Sequence, residues 1–214
     1  ARCHKRLRDL ARTGLVQGTV WVAGGALIRE GNDVDLFTPG DWKATTDKLT
    51  GDVPGVSIES ESKNAITLKV GDTVYQLCSY KKSTLAELIE SFDYAHCQVG
   101  AVAEFHDAMV TLSEVLWSDR YALSRSIGSS WFVGSEYPLS SLVRAGKYRK
   151  TEILSSGAHI HAVIDSLVAI LERGVKDWED FKDQLDAVDL GLVPEELEEV
   201  EKSSIMKLYN LLKP

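Results

Sequence analysis

Two aspartates on one strand, close behind a glycine pair, restrict this chain more than any other feature. Thr19-Val20-Trp21-Val22-Ala23 is a compact apolar run that Gly24-Gly25 breaks, the pattern of a buried strand ending in a turn. Ala26-Leu27-Ile28-Arg29 reads as a brief helix, Gly31-Asn32 turns the chain, and Asp33-Val34-Asp35-Leu36-Phe37 is a second strand. Side chains at i and i+2 share one face of a strand, so Asp33 and Asp35 project together while Val34 points the other way. Two carboxylates so placed repel each other unless a cation lies between them. Hard oxygen donors of this kind suit Mg2+, which keeps several waters and is completed by substrate phosphates. Glycines at 24 and 25 let the backbone approach a triphosphate closely, and helix N-terminal amides favour anions.

The flanking pattern predicts a sheet first and helices afterwards. Residues 3–12 form an amphipathic helix with Leu7, Leu10 and Ala11 on one side. Pro39 suits a helix N-terminus, and 40–50 reads as that helix. Three strands follow at 56–61, 65–70 and 73–80, where Val56, Ile58, Ile66, Leu68 and Val70 occupy alternate positions, and Gly71-Asp72 joins the last two as a hairpin. Thr84 and Glu87 have capping-box spacing for a helix that opens at Ser83. Beyond it the pattern is helical apart from a strand at 108–113. Ile160, Val163, Ile164, Leu167, Ile170 and Leu171 mark a helix over 158–172, and two more are predicted at 177–188 and 194–212. The expectation is an α+β fold in which residues 1–115 carry a mixed sheet flanked by helices and 116–214 form a helical C-terminal region.

Charge and composition narrow the partners. The net charge is −8, with an acidic run at Pro194-Glu195-Glu196-Leu197-Glu198-Glu199-Val200-Glu201. That argues against a general nucleic-acid coat, since such binding rests on phosphate neutralisation by Lys and Arg. It leaves room for a small substrate or a locally basic groove. The basic clusters His4-Lys5-Arg6-Leu7-Arg8 and Arg144-Ala145-Gly146-Lys147-Tyr148-Arg149-Lys150 are of the kind that usually forms solvated helix faces. Cys3, Cys78 and Cys97 have neither disulfide-framework nor zinc spacing. No apolar run is long enough to span a membrane, and the basic N-terminus, which lacks an initiator Met, has no signal-peptide core. The expected location is the cytoplasm, of a bacterial cell or a phage-infected host.

Strand, Gly-Gly, seven residues, then Asp-apolar-Asp-apolar resembles the signature of the polymerase-β-like nucleotidyltransferase superfamily, which includes tRNA CCA-adding enzymes, poly(A) polymerases and small antibiotic-modifying enzymes. The match runs from Val22-Ala23-Gly24-Gly25 through Asn32-Asp33-Val34-Asp35-Leu36-Phe37, and the resemblance covers roughly residues 15–150. Ser91-Phe92-Asp93-Tyr94-Ala95 falls where CCA-adding and poly(A) enzymes carry an Arg-Asp-Phe-Thr stretch. Ser141-Leu142-Val143-Arg144-Ala145-Gly146-Lys147-Tyr148 looks like their following Leu/Arg-rich helix. The chain is also similar to uncharacterised nucleotidyltransferase-like proteins of bacteriophages. By this resemblance Asp33 and Asp35 bind Mg2+ and Gly24 and Gly25 contact the triphosphate. Arg144 and Lys147, three apart and so on one helix face, are candidate phosphate contacts.

One position departs from the family pattern. The superfamily places a third carboxylate on a later strand, and Val74-Tyr75-Gln76-Leu77-Cys78 offers Gln76 there instead, with Glu59 or Glu61 as substitutes if the strand order differs. An amide can ligate or orient but takes no proton at neutral pH. The family's flexible-loop Arg has no clear counterpart. The resemblance implies an Mg2+-dependent enzyme that moves NMP from an NTP to a hydroxyl of RNA, protein or a small molecule and releases pyrophosphate. The alternative is a degenerate module of the same fold, and a plain helical interaction protein is a third reading. Oligomeric state, acceptor and NTP preference are left open. His159 and His161 diverge by ~100° per residue around a helix and make a poor metal pair. Cys97 beside His96 has no third catalytic group and is taken as core. Asp93 serves either as a helix cap or as a nucleotide contact. The tryptophans are read mainly as packing, with base stacking by Trp131-Phe132 as the minor possibility.

Overall fold

The computed structural model describes residues 2–28, 33–38, 53–61, 65–79, 82–186 and 199–213. The helix predicted over 40–50 and the start at Pro194 lie outside these residues, as does Trp42. The chain divides into two compact units, one of residues 1–91 and 97–122 and the other of 92–96 and 123–214. Among the described residues no helix is long and apolar enough to cross a membrane.

The first unit is built on α1 (Arg2–Arg12), β1 (Gly18–Ala23), α2 (Gly25–Ile28), β2 (Asp33–Thr38), β3 (Val56–Glu61), β4 (Ala65–Val70), β5 (Thr73–Ser79), α3 (Leu85–Glu90), β6 (Val99–His106) and β7 (Met109–Trp117). The strands form one sheet in the order β3-β4-β5-β2-β1-β6-β7. Pairing is parallel between β2 and β5 and antiparallel elsewhere. Alternation decides the faces. Val20, Val22, Val34, Leu36, Ile66, Leu68, Leu77 and Phe105 are buried in one cluster with Leu7, Leu10 and Ala11 of α1. Each such aliphatic side chain contributes about 1.5–3 kcal/mol by leaving water. Tyr75 joins that face, and its hydroxyl donates to Arg6 O at 2.8 Å, satisfying the one polar atom it brings inside.

Most predicted elements lie within a residue or two of their observed bounds. Gly71 occupies the first central position of the β4–β5 hairpin with φ 59°, the backbone state that glycine adopts without strain. Thr84 Oγ1 accepts from Glu87 N and Glu87 Oε2 accepts from Ser83 N, so the expected cap is present. The exception is β6, which the pattern reads as part of a helical stretch. Val99-Gly100-Ala101-Val102-Ala103 is a strand paired on both sides, with β1 and β7, and its small residues are mostly buried on both faces. A strand covered on two sides loses the apolar–polar alternation by which strands are recognised. The strand expected at 108–113 is the start of β7.

The second unit contains most of α4 (Asp119–Ile127), with α5 (Pro138–Lys150), α6 (Ser156–Arg173), α7 (Trp178–Asp186) and α8 (Glu199–Leu212). Its core gathers Leu139, Ile170, Val175, Phe181 and Leu212, with Trp178 and Tyr209 against them. Trp178, Phe181 and Tyr209 form a three-ring cluster with centroids 5.2–5.5 Å apart, so Trp178 packs as expected. Trp117 at the end of β7 departs from the packing expectation, being 59% exposed.

Candidate active site on the parallel strand pair

Asp33 opens β2 and is exposed, Val34 is buried and Asp35 is half-buried, so the strand presents its two carboxylates to the face opposite α1. In the parallel register Asp33 pairs with Val74, Asp35 with Gln76 and Phe37 with Cys78. Paired residues on neighbouring strands point to the same side, so Asp35 and Gln76 stand beside each other. Thr67 of β4 is the next in that row. Glu59 and Glu61 are on β3, three strands from β2, about 14 Å at the usual strand spacing. Gln76 is therefore the side chain that neighbours Asp35 in the position sequence reasoning gave to a third carboxylate.

The glycine turn lies at the same end of the sheet. β1 runs antiparallel to β2, with Val22 opposite Leu36, so the end of β1 meets the start of β2 where the aspartates sit. Gly24 has φ 73°, which a side chain would strain. Its N–H donates to Val99 O at 2.9 Å and its carbonyl accepts from Leu27 N. The Gly24 amide is thus taken up by the sheet. Gly25 and Ala26 instead carry the first N–H groups of α2, for which a helix offers no acceptor of its own. Among the described residues a Cβ added at Gly25 would meet nothing within 4 Å, so none of them crowds the turn.

Burial, followed by the charge of Asp35, pushes the Cys78 thiol up to about 12. It is a neutral group at pH 7, not a nucleophile. Among the described residues no three His, Cys, Asp or Glu side chains are grouped to hold a metal. The donors here are two carboxylates on one strand face with a carboxamide beside them. All are hard oxygen donors and too few to enclose an ion, which fits Mg2+ with its remaining positions held by water and phosphate.

Arg144 and Lys147 belong to the second unit, on α5. Lys147 is exposed, whereas Arg144 Nη1 donates to Asp93 Oδ2 at 2.7 Å. The same oxygen accepts from Ser141 Oγ at 2.7 Å, and the Asp93 side chain is only 6% exposed. Asp93 thus ties its own segment to α5 through a charge-assisted pair. Tyr94 next to it donates from its hydroxyl to Ser141 O, and its ring meets the edges of Phe132 and Tyr148. Phe132 is accordingly a packing residue against Tyr94. His96 Nδ1 lies 2.8 Å from Ser130 Oγ, a buried contact that the sequence reading missed because the partners are 34 positions apart. Cys97 is half-buried.

No protein-family model and no curated protein matches the chain. In structure it is similar to a CCA-adding enzyme in complex with CTP, at TM-score 0.53 and 14% identity over 97% of this chain and 50% of that one. It is similar also to a tRNA-processing enzyme in an apo form, at TM-score 0.52 and 14% identity over 97% of this chain and 62% of that one. The Thermotoga maritima CCA-adding enzyme complexed with tRNA gives TM-score 0.50 and 15% identity over 96% and 50%. The chain therefore has the polymerase-β-like nucleotidyltransferase fold, and it spans between half and about three fifths of the length of these structures.

Proposed function

We propose that the chain is an Mg2+-dependent nucleotidyltransferase whose site is the sheet face bearing Asp33, Asp35 and Gln76. The observation that carries this reading is the register of β2 with β5, which sets Asp35 beside Gln76 at the end of the sheet where the Gly24-Gly25 turn begins α2. In this reading Asp33 and Asp35 hold the Mg2+ that accompanies an NTP. Bound there, Mg2+ supplies stabilisation of the negative charge that builds on the attacking and departing oxygens. The amides of Gly25 and Ala26 approach the triphosphate, the bend at Gly24 permitting it. Gln76 orients a ligand or water through its amide. The acceptor hydroxyl oxygen bonds to the α-phosphorus, its proton passes to solvent water, the bond from the α-phosphorus to the bridging oxygen breaks, and pyrophosphate leaves with that oxygen. The similarity to CCA-adding enzymes supports a 3′ hydroxyl of RNA as the acceptor to try first, with protein and small-molecule hydroxyls next.

Calorimetric titration of Mg2+-NTP into wild type and Asp33→Ala/Asp35→Ala, with α-labelled NTPs and pooled RNA, tests the reading. Binding and label transfer by wild type, both lost in the double variant, are expected. Absence of NTP binding by wild type would remove the Asp pair as a nucleotide site.

The second reading, a binding module of this fold without turnover, is favoured by Gln76 itself, because among the described residues a carboxamide, not a third carboxylate, is the β5 partner of Asp35 and it takes no proton from the acceptor. Binding without transfer, converted to transfer by Gln76→Glu, would support it.

A further inference from the structure

α1 turns Leu7, Leu10 and Ala11 into the core and leaves a basic side to solvent. Lys5, Arg8 and Arg12 are exposed, and at ~100° per residue they fall within about 60° of one another around the helix. Steps of three and four residues set such side chains along one line. The chain has 32 acidic and 24 basic residues, so cations are its scarcer charge. Among the described residues, nevertheless, neither Lys5 nor Arg8 has a carboxylate partner. Arg12 has one, Asp9 at 3.1 Å, in a solvent-exposed pair of the weak kind that a stronger anion displaces.

The same side of the sheet carries an aromatic ring that the fold leaves unburied. β6 and β7 pair Ala103 with Leu112, Ala101 with Val115 and Val99 with Trp117. Ala103 and Leu112 belong to the core beneath α1, and alternation along β6 puts Ala101 and Val99 on that side as well. Val115 and Trp117 are therefore there with their partners, beyond a bulge in which Glu114 is the extra residue with φ 34°. Trp117 is more than half exposed, and α1 and β7 belong to the same compact unit.

We propose that this side of the first unit is a docking surface for single-stranded nucleic acid, with Lys5, Arg8 and Arg12 meeting backbone phosphates and Trp117 stacking an unpaired base. A line of cations and an exposed aromatic ring are the two elements by which proteins hold a single strand. The line is narrow and the chain as a whole is acidic, so a flexible strand can follow it where a flat anionic bilayer would also press on acidic groups. The apolar side of α1 is buried in the core, which leaves none to enter a bilayer. An acidic peptide would satisfy the cations but not the ring. The surface is on the side of the sheet opposite Asp33 and Asp35, so it goes beyond the transfer site and requires no step of that reaction.

Fluorescence anisotropy of a labelled oligouridine of about twelve nucleotides, within the ~4–16 that single-strand sites cover, tests this on the full chain without Mg2+ or NTP. Wild type is expected to bind at about 1–100 µM in roughly 0.1 M salt. The logarithm of its binding constant should fall against that of salt with a slope of about −2, at ~0.7 per phosphate met. Lys5→Glu/Arg8→Glu should weaken binding at least about tenfold and flatten the slope to about −0.7. Trp117→Ala should weaken it about tenfold at unchanged slope, and an abasic oligomer should bind wild type and Trp117→Ala alike. Asp33→Ala/Asp35→Ala should bind no more weakly than wild type, which separates this surface from the transfer site. Lys5, Arg8 and Trp117 are exposed, and unchanged circular-dichroism melts of their variants exclude unfolding as the cause. A wild type that leaves the oligomer free at about 100 µM, or binding that survives Lys5→Glu/Arg8→Glu, overturns the proposal. Trp117→Ala binding as wild type does, or tighter binding of phosphatidylserine vesicles than of the oligomer, overturns the single-strand assignment.

Discussion

Asp35 of β2 and Gln76 of β5 are partners in a parallel register, so their side chains leave the sheet side by side on the face that carries Asp33. A carboxamide beside two carboxylates relieves the repulsion that a third carboxylate would add in the absence of a cation. Gln76→Glu therefore has two opposed effects. Without Mg2+ it is expected to lower stability by about 1 kcal/mol, the size of a pKa unit of like-charge repulsion. With Mg2+ it should gain more thermal stability than wild type does, since binding to the native state stabilises it. Thermal melts with and without Mg2+ check both. Equal responses in the two proteins would place Gln76 away from any metal.

Alkaline stability reports on the two faces of β5. Burial, opposed by a hydrogen bond from Thr73, raises the Tyr75 hydroxyl from 10.0 to about 12, and burial with the Asp35 charge raises the Cys78 thiol from 9.0 to about 12. Both groups hold their protons more tightly folded than unfolded. Their stabilisation is complete below about pH 9 and is lost as pH climbs toward about 12. Urea midpoints measured between pH 8 and pH 11 should fall, at roughly 1.4 kcal/mol per pH unit for each group titrating in the unfolded chain alone. Cys78→Ala should flatten the profile from about pH 9 upward and Tyr75→Phe from about pH 10. Asp35→Asn removes a like charge and should speed alkylation of Cys78.

The sheet was legible where one face of a strand is buried and the other is not. Ile66 and Leu68, or Val34 between two aspartates, announce both the strand and its inner face. β6 was not, because it opens with Val99, Gly100 and Ala101 buried in succession, two of them small, and alternation sets in only from Ala103 to His106. The carboxylate pair and the glycine turn were legible from spacing along the chain. The pairing of Asp93 with Arg144 was not, since 51 residues separate them. The helix at 158–172 was read correctly, but of its apolar residues Ile170 packs inward beside the small Ala162 and Ser166, while Ile160, Ile164, Leu167 and Leu171 are exposed. A periodicity says which residues share a face, not which neighbour that face meets.

Gly100 is a test of how tightly α3 lies on β6. A Cβ at Gly100 would stand 2.6 Å from Leu85 Cδ1, 2.9 Å from Ile89 Cγ2 and 3.4 Å from Ala23 Cβ. The Leu85 and Ile89 ends can rotate only at the cost of their own buried packing. Gly100→Ala is therefore expected to destabilise the chain by about 1–3 kcal/mol in chemical denaturation, as overpacking does. Adding Leu85→Ala to Gly100→Ala should recover part of that loss, because it removes the nearest clashing atom. A Gly100→Ala protein as stable as wild type would mean that α3 yields without resistance.

The Asp93–Arg144 pair separates a structural role for Arg144 from a phosphate-binding one. The Asp93 carboxylate is nearly enclosed while the Arg144 side chain is a third exposed, so the pair lies between the surface and interior cases. Surface pairs contribute ~0–1 kcal/mol, and removing one partner of an interior pair costs ~3–5 kcal/mol. Arg144→Leu should accordingly cost about 2 kcal/mol, leaving the buried carboxylate only Ser141 Oγ of its two described donors. Asp93→Asn should cost less, because an uncharged amide is cheaper to bury and its oxygen still accepts from Ser141. A double-mutant cycle in urea is expected to give about 1–2 kcal/mol of coupling between the two positions. Coupling near zero, with Arg144→Leu as stable as wild type, would show that the guanidinium is not engaged in holding α5 and is free to meet a phosphate.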